Sequence, residues 1–164
     1  MLFDFIKSIV CKLDTCLYVE TSATRLYVKN LTTGAIFDEQ PLMAMSASND
    51  IIVIGNQSIK LSTDTTVRLI NPFDHPRLPI ANFAQAEKVL HYAILQVMNR
   101  TILMPSPKII LRPLHNLAGG LADLEIRALR ELCHGAGALD SIIYMDNTPI
   151  VGPVNFNQLK EKFA

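Results

Sequence analysis

The sequence predicts an α/β domain in which an antiparallel meander feeds two strand–helix–strand crossovers, with a small subdomain inserted between the two parts. Three observations predict it. Between residues 17 and 46, apolar and polar residues alternate in short runs broken by turn-forming residues, the pattern of half-buried strands. From residue 84 onward the period lengthens to that of a helix, and helix-length segments alternate with short continuous apolar runs. Between these parts lies a proline-rich stretch that cannot form regular structure and so marks a crossing connection.

Element by element, Leu17–Thr21 and Arg25–Leu31 are predicted strands joined through Ser22–Thr24, and Thr32-Thr33-Gly34 makes the next turn. Ile36–Phe37 and Leu42–Ser46 continue the alternation, and Ser48-Asn49-Asp50 closes it. Two small strands, Ile51–Ile54 and Thr66–Ile70, flank a polar stretch; residues 48–70 are poor in large core residues and read as the inserted subdomain. The crossing connection is "NPFDHPRLP", residues 71–79. Ala84–Asn99 is a predicted helix with Val89, Leu90, Ala93, Ile94, Val97 and Met98 on one face and Asn82 as its cap. An apolar loop, "TILM", is stopped by Pro105 and Pro107 and followed by a buried strand, Lys108–Leu111. Leu121–His134 is a second amphipathic helix using Leu121, Leu124, Ala128, Leu129 and Leu132 and ended by Gly135; Ser141–Asp146 is another buried strand. Strand, helix and strand at these lengths form right-handed crossovers with parallel strands. A meander feeding two such crossovers is the topology of the ribonuclease-H-like layer shared by actin-type ATPases. The core is expected from residues 14–47 and 71–152, with residues 153–164 as a helical tail.

Composition narrows the function classes. A chain of 164 residues buries one sizeable core, and 49% apolar with 18% charged residues excludes a disordered tail. Fifteen basic and fifteen acidic residues leave no basic footprint for nucleic acid. Cys11, Cys16 and Cys133 are odd in number and sit in apolar settings, and neither they nor His75, His91, His115 and His134 have metal-ligand spacing. No apolar run reaches the roughly 18 residues that span a bilayer. The first residues, MLFDFIKSIVCKL, carry Asp4 and Lys7 inside the apolar stretch and lack a small-residue cleavage site, so a cytoplasmic protein is expected. On a helical wheel residues 1–13 separate into a narrow polar arc with two lysines and a broad apolar face that includes Leu2, Phe3, Phe5, Ile6, Ile9 and Val10. Such a helix either lies in a membrane interface or packs on the protein's own core.

The residues from Ala84 to Pro149 carry a resemblance. "AEKVLHYAI", "PSPKIIL", "LEIRALRE", "HGAGA" and "IIYMDNTP" are similar, in order and spacing, to motifs of the bacterial actin-like rod-shape-determining (MreB) family, and weaker agreement runs upstream through "DEQPLMAM" and "TRLYVK". The resemblance implies an actin-like ATPase lobe and predicts that the chain is a truncated, single-lobe member, because the family's second lobe follows this point. It also implies that the family's first phosphate loop, Asp-x-Gly-Thr, is replaced here by Tyr18-Val19-Glu20-Thr21.

Those substitutions oppose nucleotide chemistry. A loop of this type cradles phosphate with backbone N–H groups, uses glycine for close approach and aspartate to hold magnesium through water. Tyr18 offers no carboxylate, and Glu20 puts an anion near the phosphates. Like charges about 4 Å apart repel by roughly 4 kcal/mol at an effective dielectric near 20, more than Thr21 restores. No cofactor and no enzymatic activity are therefore expected, and a ribonuclease-H-type nuclease loses its central acid to the same Tyr18. The resemblance places Glu125 at the family's water-positioning glutamate, idle without phosphates, while Asp146 and Asn147 stand where the family has Glu-Glu. It also implies membrane contact at the N-terminal helix and at the loop Ile102-Leu103-Met104, which can otherwise plug the core. The expected role is non-enzymatic: a peripheral protein at the inner face of the cell membrane, or a partner of full-length MreB-type filaments or another cytoskeletal protein, in cell shape. The alternatives are half of a split actin-like ATPase completed by a second chain, and a decayed fragment without activity.

Overall fold

The computed structural model describes residues 15–98, 105–114 and 119–163. Strands β1 (Cys16–Thr21), β2 (Leu26–Asn30) and β3 (Ile36–Glu39) form the antiparallel meander. β7 (Lys108–Pro113) and β8 (Asp140–Ile143) add to its other side in parallel, giving a five-stranded sheet in the order β3-β2-β1-β7-β8. Helix α1 (Phe83–Val97) makes the first crossover and α2 (Asp123–Gly135) the second. This is the meander and pair of crossovers that the alternation of strand and helix periods predicts.

Two layers of core result from strand alternation. Leu17 and Val19 of β1, Ile109 and Leu111 of β7 and Ile143 of β8 point toward α1 and α2, where Val89, Leu90, Ala93, Ile94, Leu129, Leu132 and Cys133 are buried. The intervening residues Tyr18, Ile110 and Ile142 point the other way, onto a layer closed by Tyr144 and by helix α3 (Phe156–Phe163), whose Phe156, Leu159 and Phe163 pack there. Local chemistry sets the ends of α1. The Asn82 side chain accepts from the Gln85 N–H at 3.2 Å, and Asn30, buried at the end of β2, donates to the Val97 carbonyl at 3.1 Å. The same Asn30 side chain accepts from the Thr32 and Thr33 N–H groups, so one residue shapes the β2–β3 turn and satisfies a helix-terminal carbonyl.

Three details differ from the sequence expectation. The strand expected at 42–46 on the core side of a boundary at residue 47 belongs to a second sheet, β5-β4-β6, formed by β4 (Met43–Met45), β5 (Ile51–Ile54) and β6 (Arg68–Ile70), with a 3-10 turn at Asn56–Leu61. The two sheets divide at Gln40–Pro41, yet Met43 and Met45 are buried in the main core, so burial there does not reveal which sheet a strand joins. In α2, Leu129 and Leu132 are buried as expected, but Leu124 is 77% exposed, because the buried seam runs on through Cys133 with Ile126 half-buried beside it. The helix also continues through Gly135; the left-handed residue that releases the chain is Gly137, at φ 105°. Residues 1–13 and Ile102-Leu103-Met104, with their expected membrane contacts, lie outside the described residues.

Candidate functional site

In open α/β sheets ligands bind beyond the carboxyl ends of the parallel strands. Here those ends belong to β1, β7 and β8, and the segment 144–151 follows β8 directly. Tyr18 and Glu20 lie on the same face of β1, while Thr21, by alternation, turns to the opposite face and is fully buried. The three residues aligned with a phosphate loop are thus not one site: two converge and the third does not.

Glu20 is buried, and its carboxylate is fully engaged. Oε1 accepts from the Tyr18 hydroxyl at 2.8 Å and from the Arg112 guanidinium at 2.9 Å. Oε2 accepts from Arg25 at 3.2 Å. Glu20 and Arg112 are register partners across the parallel β1–β7 pair, so the sheet itself brings them together. Arg112 also donates to the carbonyls of Asp146 at 3.1 Å and Asn147 at 2.5 Å, fastening the chain after β8. Arg25 grips Asp38 of β3 with two parallel bonds of 2.7 and 2.8 Å and lies over the Tyr27 ring at 4.6 Å. Lys29 donates to the Val151 carbonyl at 3.0 Å. Tyr18, Glu20, Arg25, Tyr27, Lys29 and Arg112 line an open cavity of about 410 Å³.

The electrostatics follow from this geometry. Burial, then the hydrogen bond to Glu20, pushes the Tyr18 phenol up to about 12. The Arg25 fork holds the Asp38 carboxyl below its usual range. The expectation that Glu20 stands as an uncompensated anion is corrected: its carboxylate is paired with the guanidiniums of Arg112 and Arg25. Arg112, Arg25 and Asp38 escaped sequence reasoning. The signal was present in part, since Arg25 immediately precedes β2, the strand hairpin-paired with β1, but Arg112 is 92 residues from Glu20 and becomes its neighbour only once the parallel register is known.

The other expected positions have structural work. The Glu125 carboxylate accepts from the Ala122 N–H at 2.8 Å, capping the start of α2. Asp146 faces Lys162 at 3.5 Å, and the Asn147 carbonyl is held by Arg112. His75 accepts from the N–H groups of Arg77 and Leu78, while His91 and His134 each donate to a backbone carbonyl. Burial pushes the Cys133 thiol up to about 12, far from nucleophilic use. Among the described residues no group of three His, Cys, Asp or Glu side chains could hold a metal ion, and no helix is long and apolar enough to cross a membrane.

Comparison with known proteins gives three kinds of match. The family model described as MreB/Mbl protein matches residues 14–152. The cell shape-determining protein MreB of Pasteurella multocida is 27% identical over 161 residues, covering 94% of this chain and 43% of that protein. Among solved structures, MreB5 of Spiroplasma citri bound to ADP superposes with a TM-score of 0.65 at 19% identity, covering 82% of this chain and 39% of that one. A MamK double helical filament gives 0.55 at 10% identity, covering 79% and 41%. The chain therefore spans about two-fifths of the length of the relatives it matches, and the structural matches establish an actin-like fold.

Proposed function

The chain belongs to the MreB/Mbl protein family, and on that premise we propose that it acts as a nucleotide-independent first lobe, serving cell shape through contacts with a membrane surface or an MreB-type filament rather than through catalysis. The observation that carries the proposal is the Glu20 carboxylate, held by Tyr18, Arg112 and Arg25 at the ends of the parallel strands. A phosphate entering there would have to strip Glu20 of two guanidiniums and leave it buried and unpaired, a penalty of about 3–5 kcal/mol. The neighbour from Spiroplasma citri is bound to ADP; in this chain the donors at the ends of the parallel strands are engaged by the Glu20 carboxylate.

Calorimetry with magnesium and ATP or ADP tests this directly. No saturable heat is expected, and tight binding by the isolated chain overturns the proposal. The filament side is supported by the MamK match, whose structure is a double helical filament, and the membrane side by the apolar face of residues 1–13. The proposed location is the cytoplasm, at the inner face of the membrane. Liposome flotation of the full chain and of a form lacking residues 1–13 separates these: flotation lost with the segment supports the membrane role, and absence of flotation in both leaves the filament contact as the working surface. The split-ATPase reading predicts nucleotide binding only on mixing with a second chain, which the same calorimetry detects.

A further inference from the structure

We propose that Arg25 and Arg112 form an oxyanion site whose resident occupant is the protein's own Glu20 carboxylate, which does the bridging that a phosphate would otherwise do. The inference rests on the reading that this end of the sheet does not serve a nucleotide, and it adds what the residues there do instead.

The geometry is that of a bound ligand more than of a surface ion pair. Glu20 presents two oxygens to three donors from three separate places in the chain: the Tyr18 hydroxyl and Arg112 on Oε1 at 2.8 and 2.9 Å, and Arg25 on Oε2 at 3.2 Å. Its side chain is 8% exposed and that of Arg112 16%, so solvent contributes little at the centre of the cluster. Guanidiniums aimed at one oxyanion are the arrangement proteins use for carboxylate and phosphate alike. Through these donors the carboxylate ties together segments distant in sequence. Arg25 carries the link to β3 through Asp38, and Arg112 carries it to the chain after β8 through the carbonyls of Asp146 and Asn147. The hairpin, the central parallel strand and the segment leaving the sheet are thus fastened to one anion that is covalently part of β1. Lys29, the remaining cation lining the cavity, is bonded to the Val151 carbonyl and adds to the same fastening.

A site of this kind has a simple chemical consequence. With Glu20 present, added oxyanion finds its donors occupied. With Glu20 shortened to alanine, the two guanidiniums and the Tyr18 hydroxyl face the vacated space, and a small tetrahedral anion supplies the missing charge from solution.

The experiment is thermal unfolding of the full chain and of Glu20→Ala, in chloride and in inorganic phosphate at equal ionic strength, so that screening is matched. Phosphate also stabilises proteins generally by exclusion from their surface, and the wild type measures that background. The expected result is a Glu20→Ala variant that melts several degrees below wild type in chloride and recovers in phosphate by more than the wild type gains, with a Tm that climbs as the logarithm of phosphate concentration. A double variant, Glu20→Ala with Arg112→Met, is expected to show only the background gain. The proposal is overturned if Glu20→Ala melts like the wild type, if its gain in phosphate equals the wild type's, or if the double variant gains as much as the single one. Should Glu20→Ala fail to fold in chloride, its refolding yield takes the place of the melt: recovery of native circular dichroism in phosphate but not in chloride supports the site, and equal failure in both overturns it. Binding of ATP by the wild type would remove the nucleotide-independent reading without touching this outcome, which depends on the Glu20 variants alone.

Discussion

A single carboxylate shows how burial decides which ion pair matters. Glu20 is bonded to two arginines, but the two bonds are unequal. Arg112 is 16% exposed and also holds two backbone carbonyls, whereas Arg25 is 43% exposed and shares itself with an Asp38 that is 45% exposed. Breaking a buried pair strands a charge and costs about 3–5 kcal/mol, while an exposed pair contributes about 0–1 kcal/mol. Arg112→Met is therefore expected to destabilise by about 3 kcal/mol, a fall in Tm on the order of 10 °C for a chain of this size. Arg25→Met is expected to cost less than about 1 kcal/mol. Chemical denaturation of both variants checks the ordering, and equal losses would mean that the register pair Glu20–Arg112 has no special standing.

At the scale of the element, helix α3 shows how a short segment completes a core. Eight residues are too few to be stable alone in water, so α3 depends on what it covers. Its Asn155 side chain accepts from the N–H groups of Asn157 and Gln158, and Lys160 reaches Asp140 of β8 at 2.6 Å. Phe156, buried, lies on the Tyr18–Ile110–Ile142 face with the Lys108 ammonium 5.5 Å from its ring, and Phe163 meets Tyr144 edge-on at 5.1 Å. Phe156→Ala is expected to cost about 3–4 kcal/mol and to loosen the whole second layer, because Phe156 is the helix's buried anchor while Leu159 and Phe163 are half-buried. Increased binding of a hydrophobic dye at temperatures where the far-ultraviolet circular dichroism is unchanged is the measurement; a variant that melts lower but binds no dye would show that α3 stays docked through its polar contacts.

At the scale of the molecule, what the sequence revealed depended on whether the information was local. Strand and helix periods are local, so the meander, both crossovers and the cap at Asn82 were legible from residues 17–143. The assignment of Met43–Met45 to a second sheet was not, because an all-buried strand carries no alternation to show which neighbour it pairs with. Tyr18 and Glu20 stood out as residue types, but of the partners that compensate Glu20, Arg25 comes from the β1–β2 hairpin and Arg112 from β7, and only the parallel register brings Arg112 there. The same cluster contributes at both ends of the pH range to how stability of the whole chain varies. Asp38 is held below its ordinary 3.8 by the Arg25 fork, so its contribution is fully present above that value and is lost as pH falls through the depressed one. Tyr18 works in the opposite direction: raised from 10.0 to about 12, its neutral form is what the fold prefers, so stability is intact below 10.0 and declines as pH rises toward 12. The expected profile is a plateau with an acid limb below 3.8 and an alkaline limb that begins above 9.0 with the buried Cys133 thiol and steepens above 10.0 with Tyr18. Tyr18→Phe keeps the buried ring and removes the ionising group, so it should flatten the alkaline limb at the expense of one hydrogen bond to Glu20, about 1 kcal/mol or somewhat more because the acceptor is charged. Urea unfolding at intervals from neutral pH to the alkaline limb, for wild type and Tyr18→Phe, reads both effects, and an alkaline limb of unchanged steepness in the variant would place its origin in another group.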